Sequence, residues 1–167
     1  PSNGRWIAGA GNIRQVDQYP NETNPARFMM NDSFIQDGTI TTQINIGGSS
    51  SNVPLIFFRM DENGNGYAAK FQYSGYMYIY KVQNWNLGSN YIYNGPSYRT
   101  DIGSFYYDTW YDITITLNGA DITVTAQAAA GSGRSDFGTW SVTDSTYTSG
   151  KVGIGTGYTN GVANPIY

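Results

Sequence analysis

Hydrolysis of a glycosidic bond needs two carboxylates facing one another across it, and this chain has only two glutamates, Glu22 and Glu62. Its aspartates are scattered mainly over turn-like segments, and no strand-like run carries two of them at i, i+2. Hydrolase chemistry would need aspartates from separate segments to converge, so it is the least expected use of these residues. There is no cysteine and no histidine, which removes thiolate nucleophiles, Ser-His pairs and zinc fingers. A metal would have to be a hard cation held by oxygen, calcium above all. The residue types favour recognition. The chain holds 15 Tyr, 4 Trp and 7 Phe beside 21 Gly. A flat aromatic ring covers an apolar ligand face such as the C–H side of a sugar, while Asn, Asp, Gln and Arg satisfy its hydroxyl rim. Asn84-Trp85-Asn86 has that composition in one tripeptide, and Tyr91, Tyr93 and Tyr98 follow closely. Arg59 and Lys81 are charges on otherwise apolar runs, so each must emerge on a polar face or into a cleft. These eight residues are the candidate binding set. For Trp85, stacking on a ligand and ordinary packing stand level; for Trp110, packing is the expectation.

The elements that must position these residues read as short strands. DITIT and DITVT flank Asn118-Gly119, and Asn-Gly between two period-2 runs is the type I′ hairpin signature, because both turn positions need φ > 0. Residues 39–46 alternate as a strand. Residues 54–60 are apolar on both faces, as a central strand should be. Residues 67–73 and 76–82 form a hairpin across Ser74-Gly75, and a terminal strand covers 150–156. Residues 6–16 hold a first strand or two, and 83–109 carry no clear pattern. Tyr76, Tyr78 and Tyr80 share one face by alternation; that row is either inter-sheet core or a stacking platform. No window keeps an apolar stripe at 3.6 spacing, so almost no helix is expected. Asp61 to Gly66 has oxygen side chains at alternate positions but lacks the later glutamate of a calcium loop, and it reads as a plain turn. The sequons at Asn21 and Asn31 are discounted in a chain so rich in Asn, Ser and Thr.

At 167 residues the chain makes one domain, 1–167, large enough for a real core. Only 13% of residues are charged and the net charge is −3, too few cations to neutralise a phosphate backbone, so nucleic acid is not an expected partner. No run of 18 apolar residues exists, so no membrane insertion is expected. The chain opens at Pro1 without Met, consistent with a removed leader or a chosen boundary.

Several segments in order carry a family resemblance: Phe34 with Asp37-Gly38-Thr39-Ile40, then Phe57-Phe58-Arg59-Met60 and Tyr67, then residues 78–82, Trp110-Tyr111 opening the hairpin, and finally Asp144 followed by Gly150-Lys151-Val152-Gly153. This pattern resembles the concanavalin A-like lectin and glucanase superfamily, the laminin-G-like jelly rolls, and is nearest to secreted carbohydrate-binding modules. The resemblance implies an all-β, two-sheet antiparallel jelly-roll sandwich. It implies an extracellular, non-catalytic module that binds a polysaccharide or other glycan, and a structural calcium for which Asp32, Asp37 and Asp144 are the candidates. Two departures stand out. The glucanase catalytic strand, Glu-x-Asp-x-x-Glu, is absent. The family closes with one more strand after the Gly-Lys-x-Gly segment, so here that strand is short, missing, or supplied by another molecule. An open edge of that kind keeps a second reading alive: a structural or adhesive subunit of a phage particle or surface filament, completed by strand addition from identical subunits or neighbouring domains.

Overall fold

A computed structural model describes residues 6–9, 12–15, 24–46, 53–73, 76–94, 105–135 and 137–157. Twelve strands account for most of them: β1 (Trp6–Gly9), β2 (Asn12–Gln15), β3 (Ala26–Met29), β4 (Gly38–Asn45), β5 (Val53–Met60), β6 (Gly66–Gln72), β7 (Tyr76–Val82), β8 (Tyr91–Asn94), β9 (Trp110–Asn118), β10 (Asp121–Ala128), β11 (Phe137–Thr143) and β12 (Lys151–Gly157). No helix occurs among the described residues. β1 and β2 form a two-stranded hairpin. The rest divide into a four-stranded sheet, β11-β10-β9-β4, and a six-stranded sheet, β3-β12-β5-β6-β7-β8. Every strand pair is antiparallel. The all-β sandwich expected from the sequence is what the chain forms.

The hairpin of β9 and β10 shows the local cause most plainly. Asp121 pairs with Asn118 and the register runs without a slip to Ala128 opposite Tyr111. The two turn residues are therefore Gly119 and Ala120, and of these only Gly119 has φ > 0, at +56°. The turn is not the type I′ turn expected over Asn118-Gly119, because Asn118 stays in the strand and only a glycine takes the left-handed position without strain. Strict alternation then puts Tyr111, Ile113, Ile115, Leu117, Ile122, Val124 and Ala126 on the inner face. The six-stranded sheet answers with Ile56, Phe58, Tyr67, Ala69, Phe71, Met77 and Ile79. These residues make one inter-sheet core, closed by Trp140 and Phe105 stacked 6.1 Å apart. Burial of this apolar area is the dominant favourable term in folding.

A second apolar cluster lies outside that core, on the other face of the six-stranded sheet. It comprises Leu55, Phe57, Met60, Ala68, Tyr80, Val82, Leu87 and Met29, with Tyr78 and Trp85 packed against it. This explains why every residue of β5 is buried: the strand is covered on both sides. β12 is not a sheet edge, because it pairs with β3 on one side and β5 on the other. The open edge expected at the last strand of the motif is therefore not at β12; residues 158–167 lie outside those described. β8, drawn from the segment without a clear pattern, pairs with β7 through a bulge at Ile79/Tyr80.

Candidate functional site

The outward face of the six-stranded sheet collects most of the aromatic candidates. Register aligns Arg27 and Met29 with Gly155 and Gly153, these with Leu55 and Phe57, then Lys70 and Ala68, then Tyr78 and Tyr80. Gly153 and Gly155 have no room for a side chain. A Cβ at Gly153 would meet Met29 Sδ at 2.4 Å, and one at Gly155 would meet Phe57 at 2.5 Å. The missing side chains let Met29 and Phe57 lie down over β12.

The Tyr row is not inter-sheet core. Met77 and Ile79 point into the sandwich, so Tyr76, Tyr78 and Tyr80 point out of it. Tyr80 is nevertheless buried, while Tyr76 and Tyr78 are half-buried. Tyr91 is 47% exposed and packs 6.1 Å from Tyr78 and 6.0 Å from Tyr80, ring centre to ring centre. Lys70, 4% exposed, sits among them with its ammonium 5.2 and 5.6 Å from the Tyr78 and Tyr80 rings, a cation–π arrangement. Tyr93 turns the other way and packs against the inter-sheet core. Tyr98 lies outside the described residues.

Trp85 occupies the far end of the face, and its position is built by two turns docked on each other. The Asp61–Gly66 turn closes on its own aspartate: Asp61 Oδ1 accepts from the Asn65 amide at 2.8 Å and Oδ2 from Asn65 Nδ2 at 2.9 Å. Burial would raise the Asp61 carboxyl, but these bonds outweigh it and hold it below the ordinary carboxylate value. The second turn is bridged by Gln83 and Asn86. It places Asn84 and Trp85 at φ 51° and 65°, left-handed positions that non-glycine residues rarely take. Trp85 N donates to Gly64 O at 2.9 Å and Asn84 N to Asn65 Oδ1 at 3.1 Å. Gly64 is required, since a Cβ there would lie 2.3 Å from Trp85 Cδ1.

The indole meets Phe57 edge-on at 6.1 Å, and the Arg27 guanidinium lies 4.2 Å from its ring centre. What remains of Trp85 opens onto a cleft of about 270 Å³ lined by Met29, Asn31, Asp61, Glu62 and Lys151. Glu62 and Lys151 form a loose 3.7 Å pair at its rim. Asn84 and Asn86 stay exposed beside it, Asn86 Oδ1 accepting from the Gly88 amide. Arg27, Asn31, Glu62 and Lys151 were not among the sequence candidates. Arg27 carried the same signal that selected Arg59 and Lys81, a charge within an apolar run.

Arg59 and Lys81 are brought to neither the cleft nor the Tyr row. Arg59 is 1% exposed, and its donors reach Gln36 O, Tyr147 O, Gly119 O and Asp37 Oδ1 at 2.6–3.3 Å. Its side chain is fully buried and its guanidinium is engaged through all three nitrogens inside the protein, out of reach of a ligand at either place. Lys81 sits opposite Tyr67 and pairs with Asp144 at 2.7 Å. Burial would raise the Asp144 carboxyl, yet bonds from Lys81, Tyr67 and Thr146 hold it well below the usual carboxylate range. Burial and the bond to Asp144 push the Tyr67 hydroxyl up to about 12.

The calcium candidates do not meet. Asp32 is exposed in the turn after β3. Asp37 is occupied by Arg59 and the Gly119 amide, and Asp144 by Lys81 and Tyr67. Asp37 Oδ1 and both Asp144 carboxylate oxygens thus accept from cations or from N–H and O–H donors, and no group of three metal-binding side chains gathers among the described residues.

The remaining aromatic locus is at the loop end. Tyr73 and Tyr107 stack on each other at 4.0 Å, and Arg134 covers Tyr106 at 3.4 Å, so these rings are engaged internally.

No family model matches this chain, and no curated protein matches it. Solved structures do match in fold. The CBM2 module of the evolved Dit of Lactobacillus casei BL23 phage J-1 is 15% identical, with a TM-score of 0.55 over 99% of this chain and 77% of that one. The metal-free form of lectin I-B4 from Griffonia simplicifolia is 12% identical, with a TM-score of 0.59 over 98% and 87%. A single mutant of congerin II is 10% identical, with a TM-score of 0.51 over 86% of this chain and all of that one. At such identities the likeness shows the fold alone: a two-sheet, all-β jelly-roll sandwich.

Proposed function

We propose that this domain is a non-catalytic carbohydrate-binding module of an extracellular or particle-associated protein, and that it holds one sugar ring in the Trp85 cleft. The observation that carries the reading is the cleft itself. Part of an indole faces a rim of amide, carboxylate and ammonium groups, the pairing of apolar face and polar edge that a sugar ring needs. Its volume of about 270 Å³ lies below the usual range for drug-sized ligands, which suits a single ring. Lectins and a carbohydrate-binding module sharing the fold support the reading. Binding is favoured over hydrolysis because both carboxylates of the cleft serve the structure: Asp61 accepts from Asn65 through each oxygen and Glu62 pairs with Lys151. Screening the domain and Trp85→Ala against an array of short oligosaccharides tests it. The wild type is expected to bind a defined set, and the variant to lose about 30-fold in affinity, the worth of about 2 kcal/mol at an aromatic anchor. Equal binding by both proteins would end the assignment of the site.

A second reading, an assembly subunit completed by strand addition, draws on one observation. The outer strands of the four-stranded sheet, β4 and β11, are 8 and 7 residues long with no charge or proline, the devices that blunt an edge. Mass in solution separates the two: a module is expected to be monomeric at micromolar concentration.

A further inference from the structure

The opposite side of the sandwich carries a surface of another kind. Outward positions of the four-stranded sheet align in ranks. One rank is Thr39, Thr116, Thr123 and Ser141; the next is Thr41, Thr114, Thr125 and Thr139. All eight positions bear a hydroxyl, and none is charged or aromatic. Sheet geometry spaces them by roughly 4.8 Å across strands and about 6.7 Å along them. Threonine is stiff at χ1, and two cross-strand pairs bond hydroxyl to hydroxyl, Thr123 to Ser141 at 3.0 Å and Thr125 to Thr139 at 3.3 Å. The array is thus ordered before anything binds. At one end it deepens into a groove of about 380 Å³ over β4 and β9, lined by Thr41, Thr42, Gln43, Asp112 and Thr114. There Gln43 Nε2 donates to Asp112 Oδ1 at 2.7 Å, which leaves the Gln43 carbonyl and the second Asp112 oxygen as acceptors.

A polar outer face is ordinary for an antiparallel sheet, but a face serving only solubility mixes charges of both signs. Eight hydroxyls in register ask for a partner that is uncharged and can both donate and accept at every contact. An anion would need cations, and an apolar surface would strand the hydroxyls unsatisfied. Ordered water meets the hydroxyl requirement too, but a sheet twists by about 20–25° per strand. A flexible chain can follow a twisted rank, whereas a rigid crystal face cannot.

We propose that this face is a second glycan-binding surface, one that takes an extended, neutral polysaccharide chain laid across the strands with its hydroxyls on the threonine ranks. The proposal rests on the carbohydrate reading above for ligand class but uses none of the Trp85 cleft.

Gel-mobility retardation by soluble xylan, galactomannan and mixed-linkage β-glucan tests it, alongside the short-oligosaccharide array. Trp85→Ala is expected to lose oligosaccharide binding yet still be retarded by at least one polymer. Adding Thr114→Glu and Thr125→Glu is expected to weaken that retardation at least tenfold. The Glu pair alone is expected to leave oligosaccharide binding unchanged. Should the Glu pair fail to fold, Thr114→Val with Thr125→Val deletes the hydroxyls at nearly constant shape and is expected to show the same loss. Loss of all polymer retardation in Trp85→Ala, or undiminished retardation in the threonine variants, overturns the second surface and leaves the cleft standing. A wild type that binds neither short nor long glycans overturns both. Inhibition of ice growth that disappears in the Val pair, while polymer retardation persists, assigns the face to ordered water instead.

Discussion

The Arg59 clamp and the Arg27–Trp85 cleft are assembled from the same parts: an arginine on an apolar strand, an aspartate in a turn and glycines that admit close contact. They end in opposite states. Arg59 is 1% exposed and spends its donors on three carbonyls and one carboxylate. It thereby ties together the segment before β4, the β9–β10 turn and the connection leading to β12. Arg27 is half-buried, donates to Asn24 Oδ1 and Pro25 O among the described residues, and lays its guanidinium over an indole that opens onto a cleft. Desolvation lowers its pKa, a cost borne where stacking rather than hydrogen bonding compensates. The lesson is that a charge in an apolar run does not mark a site. What separates the clamp from the candidate site is how deeply the protein itself buries and engages the charged group.

The contrast can be broken most sharply at Arg59. Arg59→Ala empties a fully buried side-chain site and removes the donor shared by three part-buried carbonyls, and is expected to cost about 3 kcal/mol. Urea unfolding should show this as a lower midpoint with an unchanged slope. Arg27→Ala, measured the same way, is expected to cost no more than about 1 kcal/mol. Equal costs would erase the distinction.

Gly64→Ala tests the cleft side. The added methyl would lie 2.3 Å from Trp85 at φ +84°, so the indole must move. A loss of about 2 kcal/mol with a shift in Trp fluorescence and lost oligosaccharide binding is expected. A variant that binds normally would show that the seat of Trp85 does not matter.

The smallest effect is the pH dependence of the clamp end. The Asp144 carboxyl is depressed in the folded state, so its contribution is complete above its unfolded value near 4 and is lost as pH falls through the folded value. Tyr67 is raised to about 12, so its contribution is complete below its unfolded value of about 10 and disappears as pH rises from there to 12. Stability, followed through the thermal midpoint, should therefore be level between about pH 5 and 9 and fall at both ends, by on the order of 1–2 kcal/mol at the acid end. Asp144→Asn is expected to lower the plateau and flatten the acid limb; a variant that keeps the full acid limb would assign it to another group.

Much of the fold was legible in the chain because its signals are local. Asn118-Gly119 between two alternating runs signals a hairpin, and one forms there, but Asp121 pairs with Asn118, so the two turn residues are Gly119 and Ala120 rather than Asn118 and Gly119. The apolar run at 54–60 required a strand covered on both faces, and β5 is one. The site was legible only in part. Trp85 emerged from its asparagine neighbours, and it is at the cleft. Arg27 carried a readable signal, a charge in an apolar run, but that it, Asn31 and Lys151 gather around Trp85 was not legible, because they come from β3, the turn after it and β12, and only strand order brings them there. The turn at 61–66 was readable as a turn, the one at 83–86 lay in a segment without a clear pattern, and nothing local says that one docks on the other.

Alone, then, the sequence determined the period of each strand, the hairpin turns and the absence of His and Cys chemistry, since these depend on neighbouring residues and on side-chain type. Only the tertiary structure decided which way the Tyr row faces, that Arg59 is buried while Arg27 meets an indole, and that Asp37 and Asp144 are spent on cations. Each of those outcomes depends on contacts between segments distant in the chain. A strand's alternation defines two faces without saying which one another layer will cover.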